Sequence, residues 1–372
     1  MRQTMKKYSI FLAIAALMSA ASCNQAEIEA PVEDTVTPVE TELITVELNP
    51  MTKTALGAEG TTVWDANDVV SVTVDGKKIG DLKLVGGSKF SGEVEAGYNG
   101  VAKLHYPSGI TTVPSTQKAV ANTFADNAAL LDGETTMDAL RAGEAVELQN
   151  STSVLKFKVA KAGDVTFEVG STKYTVTGCK TGSTYYACVA PAVNVSFTAR
   201  IDGYLSKQAS KNVTFAANQV SNLKELPAPE KFGWGLVGQH QGWDITKPTE
   251  MYKVYDGVGD NNVNDVYAVL DVKLSNNGFK FAKLGLSNWS SSNTYFGAWT
   301  KSSGKQYYNF TNDCGLGNWY GMWTDSCGGQ PENIGVNDWN QKYDVYIKMT
   351  EYYPNSQNMN YTIVKAGTAM TF

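Results

Sequence analysis

Val70-Ser-Val-Thr-Val-Asp-Gly76 sets the pattern for the whole chain: Val70, Val72 and Val74 alternate with Ser71, Thr73 and Asp75, and Gly76 closes the run. A period of two belongs to a strand with one buried and one wet face, because successive side chains of an extended backbone point to opposite sides. The same period returns at Leu155, Phe157 and Val159, at Val165, Phe167 and Val169, and at Val193, Val195 and Phe197. A longer run places Val266, Ala268, Leu270, Val272 and Leu274 on one face. Helical spacing is scarce. Only the stretch from Ala119 to Val146 could hold a short helix, and Asp132-Gly133 interrupts it. Short strands separated by turn residues predict an all-β chain of tandem immunoglobulin-like β-sandwich modules.

At the front, Lys6-Lys7 and the apolar run from Ile10 to Met18 read as an export signal, and Ala20-Ala-Ser-Cys23 resembles a bacterial lipoprotein processing box, so a lipoprotein signal peptide is expected over residues 1–22. The apolar run falls short of the roughly 20 residues needed to span a bilayer. Cys23 is the expected lipidation site, and its acyl chains would hold the protein on a membrane, each buried methylene contributing about 0.8 kcal/mol. Residues 23–42 are rich in Glu, Pro, Thr and Val, carry no aromatic residue, and read as a flexible tether. The early acids Glu27 and Glu29 resemble the acidic stretches of surface-exported lipoproteins, so the expected location is the outer membrane, lipid-anchored and facing outward. The formal net charge of −6, without a basic cluster, argues against nucleic acid as a partner.

Leu226-Pro-Ala-Pro-Glu230 marks the clearest boundary, because closely spaced prolines stiffen the chain and withhold ladder donors. Three modules are expected: residues 43–146, residues 147–228 and residues 232–372, the last a carbohydrate-binding β-sandwich. Besides Cys23 there are four cysteines. Cys314 and Cys327 flank a loop rich in Gly and Trp and are expected to form a disulfide, worth about 3 kcal/mol on the loop-entropy view. With Thr181-Gly182 as a hairpin turn, Cys179 would face Thr184 and Cys188 would face Thr175, too far apart to bond. That pair reads as free thiols.

The residues from Gly285 to Trp339 hold eleven aromatic rings in 55 positions, including five of the eight tryptophans. Their neighbours are Gly, Asn, Ser and Thr and not branched aliphatics, which suggests loops presenting flat apolar faces beside amides and hydroxyls. Such a surface suits a pyranose, with its apolar C–H face and rim of hydroxyls. Trp289, Trp299, Trp319, Tyr320 and Trp323 are the expected stacking residues, with Lys283, Asn288 and Asn293 as hydrogen-bonding partners. Trp243 and Trp339 each lie beside a strand end and are assigned to the core.

Two resemblances bear on this reading. Thr52-Lys-Thr-Ala-Leu56, Val63-Trp-Asp-Ala-Asn-Asp68, Tyr106-Pro107 and Leu148-Gln-Asn-Ser-Thr-Ser-Val-Leu-Lys-Phe157 resemble the fimbrillin-like proteins of gut anaerobes over residues 42–226. That resemblance implies two β-sandwich modules, as found in pilus subunits and in lipid-anchored surface proteins. Trp64 itself reads as a core residue, and Asp65 and Asp68 as turn formers. Leu236-Val-Gly-Gln-His-Gln-Gly-Trp243, Gly278-Phe-Lys-Phe281, Asn288-Trp289, Glu332-Asn-Ile-Gly335 and Tyr343-Asp-Val-Tyr-Ile347 are similar to the C-terminal modules of the SusE and SusF starch-binding lipoproteins over residues 232–366. That implies a glycan ligand, no hydrolysis, and a neighbouring outer-membrane glycan transporter as partner. The chain departs from those proteins in having one such module, and in a longer, more aromatic stretch from Trp299 to Gly329.

Catalytic signals are sparse. The two histidines, His105 and His240, lie near no nucleophile motif, and His105 reads as a strand-end residue. Asp313, Asp325, Glu332 and Asp338 stand in turn-like contexts. Asp260-Asn-Asn-Val-Asn-Asp265, with Asp271 at the twelfth position, is spaced like a calcium loop, but the sixth position is Asp265 where such a loop needs Gly. No catalytic residue, metal or cofactor is assigned. The expected function is glycan capture by a non-catalytic surface lipoprotein, the alternative a fimbrillin-related adhesin or pilus accessory protein.

Overall fold

The computed structural model describes residues 39–51, 64, 66–122, 129–257, 263–274, 278–289, 295–296, 319–321, 333–336, 340–349 and 359–372. The architecture is all-β, with several sheets and a single short α-helix among the described residues. The first group of elements is β1 (Thr41–Met51), β2 (Val69–Val74), β3 (Lys77–Gly86), β4 (Lys89–Glu95), β5 (Val101–Tyr106), β6 (Thr116–Lys118), β7 (Leu131–Thr136), α1 (Met137–Ala142) and β8 (Val146–Asn150). The second is β9 (Ser153–Val159), β10 (Gly163–Val169), β11 (Thr172–Cys179), β12 (Tyr185–Val189), β13 (Ala192–Val195), β14 (Phe197–Ile201), β15 (Tyr204–Gln208), β16 (Val213–Phe215) and β17 (Gln219–Leu226). The third is β18 (Lys231–Gly238), β19 (Thr249–Tyr255), β20 (Val266–Val272), β21 (Phe279–Lys283), β22 (Tyr295–Phe296), β23 (Tyr320–Gly321), β24 (Tyr343–Met349) and β25 (Met359–Lys365).

The first sheet closes on itself in the order β1-β4-β3-β2-β5-β7-β8, so its strands leave no free edge. Closure falls to β1, whose first half pairs antiparallel with β4 and whose second half runs parallel to β8. Val70, Val72 and Val74 face the interior as their spacing predicts, and Asp75-Gly76, both at positive φ, make the two-residue turn into β3. Trp64 packs on this core edge-to-face with Phe90 and Tyr106 and donates its Nε1–H to Leu48 O at 3.2 Å. The helix forms where a helix was expected, but Asp132-Gly133 does not interrupt it; those residues lie within β7. Thr136 caps α1 by accepting the Ala139 N–H, and Gly143 ends it at φ 72°.

In the second group, one sheet runs β15-β14-β10-β11-β6 and the other β12-β9-β17, beside the small β13-β16 pair. Every residue of β12 is buried because that sheet has apolar company on both faces. Val154, Tyr186 and Cys188 join the first core, while Leu155, Phe157, Tyr185 and Ala187 join the second. This corrects the hairpin expected around Thr181-Gly182. β11 and β12 belong to different sheets, Cys179 lying opposite Gly163 and Cys188 opposite Val154. Both cysteines are buried free thiols, each pushed up to about 12 by burial. Val193 also departs from expectation. Asn194 sits at φ 55°, which breaks the alternation and leaves Val193 77% exposed.

The third group is one eight-stranded sheet, β22-β21-β18-β19-β20-β24-β25-β23. It curls around its own core, since Phe281 of β21 meets Tyr361 of β25 at 5.6 Å although four strands separate theirs. The long alternating run does not stay on one face. Asp271 at φ 59° inserts a bulge, so Val266, Ala268 and Leu270 face outward while Val272 and Leu274 turn into the inner core. The bulge docks the second group onto the third: Leu270 N–H donates to Tyr204 Oη at 3.2 Å, and Arg200 Nη1 donates to Val254 O at 2.6 Å. Tyr204 also packs against Tyr252 at 5.1 Å. Replacing Tyr204 with Phe leaves the Leu270 N–H without its acceptor and is expected to cost about 1–3 kcal/mol in urea unfolding.

Candidate aromatic binding site

The site starts at the end of β18. Gly238 approaches β21 so closely that a Cβ there would lie 2.5 Å from Gly278 O and 2.7 Å from Phe279 Cα. The chain then makes a short 3-10 turn over Gln239–Gln241 and passes through Gly242 at φ 78° and Trp243 at φ 61°. A left-handed backbone at a tryptophan costs roughly 1–3 kcal/mol and persists only where surrounding contacts fix it. Here they do. Trp243 N–H donates to Gly238 O at 2.9 Å. The Gln241 side chain accepts from Asp244 N at 2.8 Å and donates back to Asp244 O at 2.8 Å. Asp244 Oδ1 accepts from both Thr246 N and Thr246 Oγ1, at 3.0 and 2.6 Å, and these bonds hold its carboxyl below the usual range.

Trp243 thereby lies half-buried against Val237, Ile245 and Ala282, beside Leu286, on the outer face of the sheet. The assignment of Trp243 to the main core is thus only half right. It serves a small outer cluster and supports a second ring: Trp289 lies 6.1 Å away, tilted by 54°, and is 36% exposed. Trp289 is the one large aromatic among the exposed hydrophobic residues described. Next to it Asn288 is exposed, with its Nδ2 at 3.5 Å from Ser287 Oγ. His240 closes the other side of the turn, its Nε2 at 3.0 Å from Thr249 Oγ1, and burial lowers its pKa so that the ring is held neutral.

The other expected site residues fall elsewhere. Lys283 is exposed on the strand face it shares with Phe281, its Nζ 5.7 Å from the Trp234 ring, whereas Ala282 faces the Trp243 cluster. Trp319 is half-buried against the outer cluster of Val254, Val266, Ala268, Tyr346 and Val364. Tyr320 belongs to β23, and β22 and β23 supply the two ends of the sheet. Trp299, Trp323, Asn293, Trp339, Cys314, Cys327 and Cys23 lie outside the described residues, as do Asp260, Asp313, Asp325, Glu332 and Asp338. Asp265 of the calcium-like spacing is occupied by Lys253 Nζ at 2.9 Å, by Gly257 N–H at 2.8 Å and by the Tyr267 hydroxyl. Asp271 pairs with Lys342. Sequence reasoning missed the role of Trp243; Gln-Gly-Trp-Asp at a strand end, with Gly before a ring and Asx chemistry after it, was the available signal.

No known protein family matches the chain, and no curated protein sequence does. Among solved structures, a fimbrial protein from Bacteroides ovatus is similar at 11% identity and a TM-score of 0.32, over 62% of this chain and 57% of that one. The chain thus spans little more than half the length of that protein. A candidate cell adhesion protein from Bacteroides ovatus is similar at 13% identity and a TM-score of 0.30, over 50% of this chain and 92% of that one. One from Bacteroides thetaiotaomicron gives 10% identity and a TM-score of 0.28, over 49% and 91%. Likeness at this level carries no argument about what this chain binds.

Proposed function

We propose that this chain is a non-catalytic binding protein of the cell surface that contacts glycan through Trp243 and Trp289. The observation that carries this reading is the built pair of tryptophans: one ring is fixed by a constrained turn, the other stands exposed beside it, and amide side chains flank both. A ring held before the ligand arrives loses little freedom on binding. Sugar C–H faces then stack on indole without any charged partner. The lipid anchor at Cys23 and the tether ahead of β1 would carry the β units outward, and a neighbouring transporter would receive the captured glycan. In the alternative, an adhesin or pilus accessory protein, the β regions serve assembly with a protein partner such as a pilus subunit through an exposed sheet edge, and the tryptophan variants leave that contact unaffected.

Affinity electrophoresis through gels containing single polysaccharides separates the two. The wild type is expected to be retarded by at least one polysaccharide. Trp289→Ala should weaken that binding by about 2- to 30-fold, from roughly 0.5–2 kcal/mol for one stacked ring. Trp243→Ala should weaken it at least as much, because it removes both a ring and the support of its neighbour. Absence of retardation on every polysaccharide would discard glycan as the ligand and leave the protein-contact reading.

A further inference from the structure

His105 is the fifth residue of β5, with its side chain on the outer face. Its Nδ1 lies 2.6 Å from Asp132 Oδ1 on β7, and its Nε2 lies 2.6 Å from the backbone oxygen of Ile110. An ionised carboxylate and a carbonyl only accept hydrogen bonds, so both ring nitrogens must carry hydrogen, which requires the imidazolium. Ile110 belongs to the strap of residues 107–115 that leaves the first sheet and enters β6, which pairs with β11 of the second. Val113 within that strap packs against both the first and the second core. Just beyond it, the Gln117 amide brackets Cys188, donating to its oxygen at 2.6 Å and accepting its N–H at 3.0 Å. His105 therefore grips the connection between two cores near its start.

We propose that His105 is a pH-operated latch: as imidazolium it ties the 107–115 strap to β7, and loss of its Nε2 proton to water releases the Ile110 carbonyl. The Nδ1 hydrogen stays, because the Asp132 carboxylate is the stronger acceptor. A bare Nε2 lone pair 2.6 Å from a carbonyl oxygen repels it, so the strap must shift. Water reaches the ring through an open cleft of about 880 Å³ beside it, where the ladder between β7 and β8 stops after two pairs. Other charged groups facing the ring are Lys103, paired to Glu134 at 3.1 Å on the same face, and Glu147 of β8. On the β3 side, Asp81 binds Lys78 and accepts from Ser108 Oγ of the strap. The hydrogen bond to Asp132 raises the His105 pKa, as does that to Ile110, against burial, so release falls above the ordinary histidine range. The sign follows: the latch stabilises fully below the unfolded-state value and is lost as pH rises through the raised one.

The chain has only two histidines, so ring nitrogen spectra of the intact protein resolve both. At about pH 7 His105 is expected to be doubly protonated and His240 neutral. Hydrogen exchange of peptides spanning the strap, corrected for intrinsic rate, should rise about tenfold or more between roughly pH 6 and pH 9, the order expected when one hydrogen bond from a charged donor is lost. His105→Gln should exchange fast at both pH values. Asp132→Asn, which keeps the ring but removes its carboxylate, should move the release to lower pH. A neutral His105 ring at about pH 7, or strap exchange in the wild type that does not change with pH, would overturn the proposal.

Discussion

Replacing Lys253 with Met is expected to destabilise the C-terminal sheet by about 3–5 kcal/mol, the range found when one partner of a buried ion pair is removed. Lys253 Nζ lies 2.9 Å from Asp265 Oδ2, with side chains only 10% and 2% exposed. It also meets Glu230 at 2.8 Å and Asp256 at 3.2 Å, but those carboxylates are more than half exposed and contribute little. Burial alone would disfavour the ammonium, yet its bonds to Glu230 and Asp265 outweigh burial and raise its pKa. Without the lysine, the donors left to the Asp265 carboxylate among the described residues are the Gly257 N–H and the Tyr267 hydroxyl, both neutral. Chemical unfolding measures the loss. A companion Lys253→Met, Asp265→Leu variant should recover most of the loss, and a loss under about 1 kcal/mol in the single variant would reduce this pair to an ordinary surface contact.

Phe281→Ala is expected to cost a similar amount, about 3–5 kcal/mol, through the cavity left in the sheet's inner core. Phe281 is fully buried, meets Phe279 edge-to-face at 5.4 Å and Tyr361 at 5.6 Å, and stands opposite Leu236 in the ladder. The next residue, Ala282, supports Trp243 on the other face. The substitution should therefore lower both the unfolding midpoint and any ligand affinity. Trp289→Ala, at an exposed ring, should lower affinity while leaving the midpoint within about 0.5 kcal/mol. A Phe281→Ala protein with unchanged stability would contradict the curled-sheet core.

Much of the architecture was readable because burial imprints a period of two wherever a strand has one wet face. Val70, Val72 and Val74, and Phe157 and Phe167, needed nothing else. The reading failed where that condition failed. β12 is covered on both sides, so its run carries no alternation and its sheet could not be told from that of β11. Asp271 and Asn194 take left-handed backbone, and one such residue flips or ends the pattern without leaving a mark in hydrophobicity. For the candidate site, composition drew attention to the part of the chain that holds Trp289 and Asn288 and assigned Trp243 to the core, whereas the fold sets the Trp243 and Trp289 rings side by side.

By itself the sequence determined that the chain is all-β and that its aromatic residues concentrate late. Those properties are local, set by backbone preference and by how each residue partitions between water and core. The tertiary structure alone decided that the first sheet closes, that Trp289 meets Trp243, that Lys253 neutralises Asp265, and that His105 reaches both Asp132 and Ile110. Each joins strands or loops whose register depends on packing across the sheet, and no spacing along the chain encodes it.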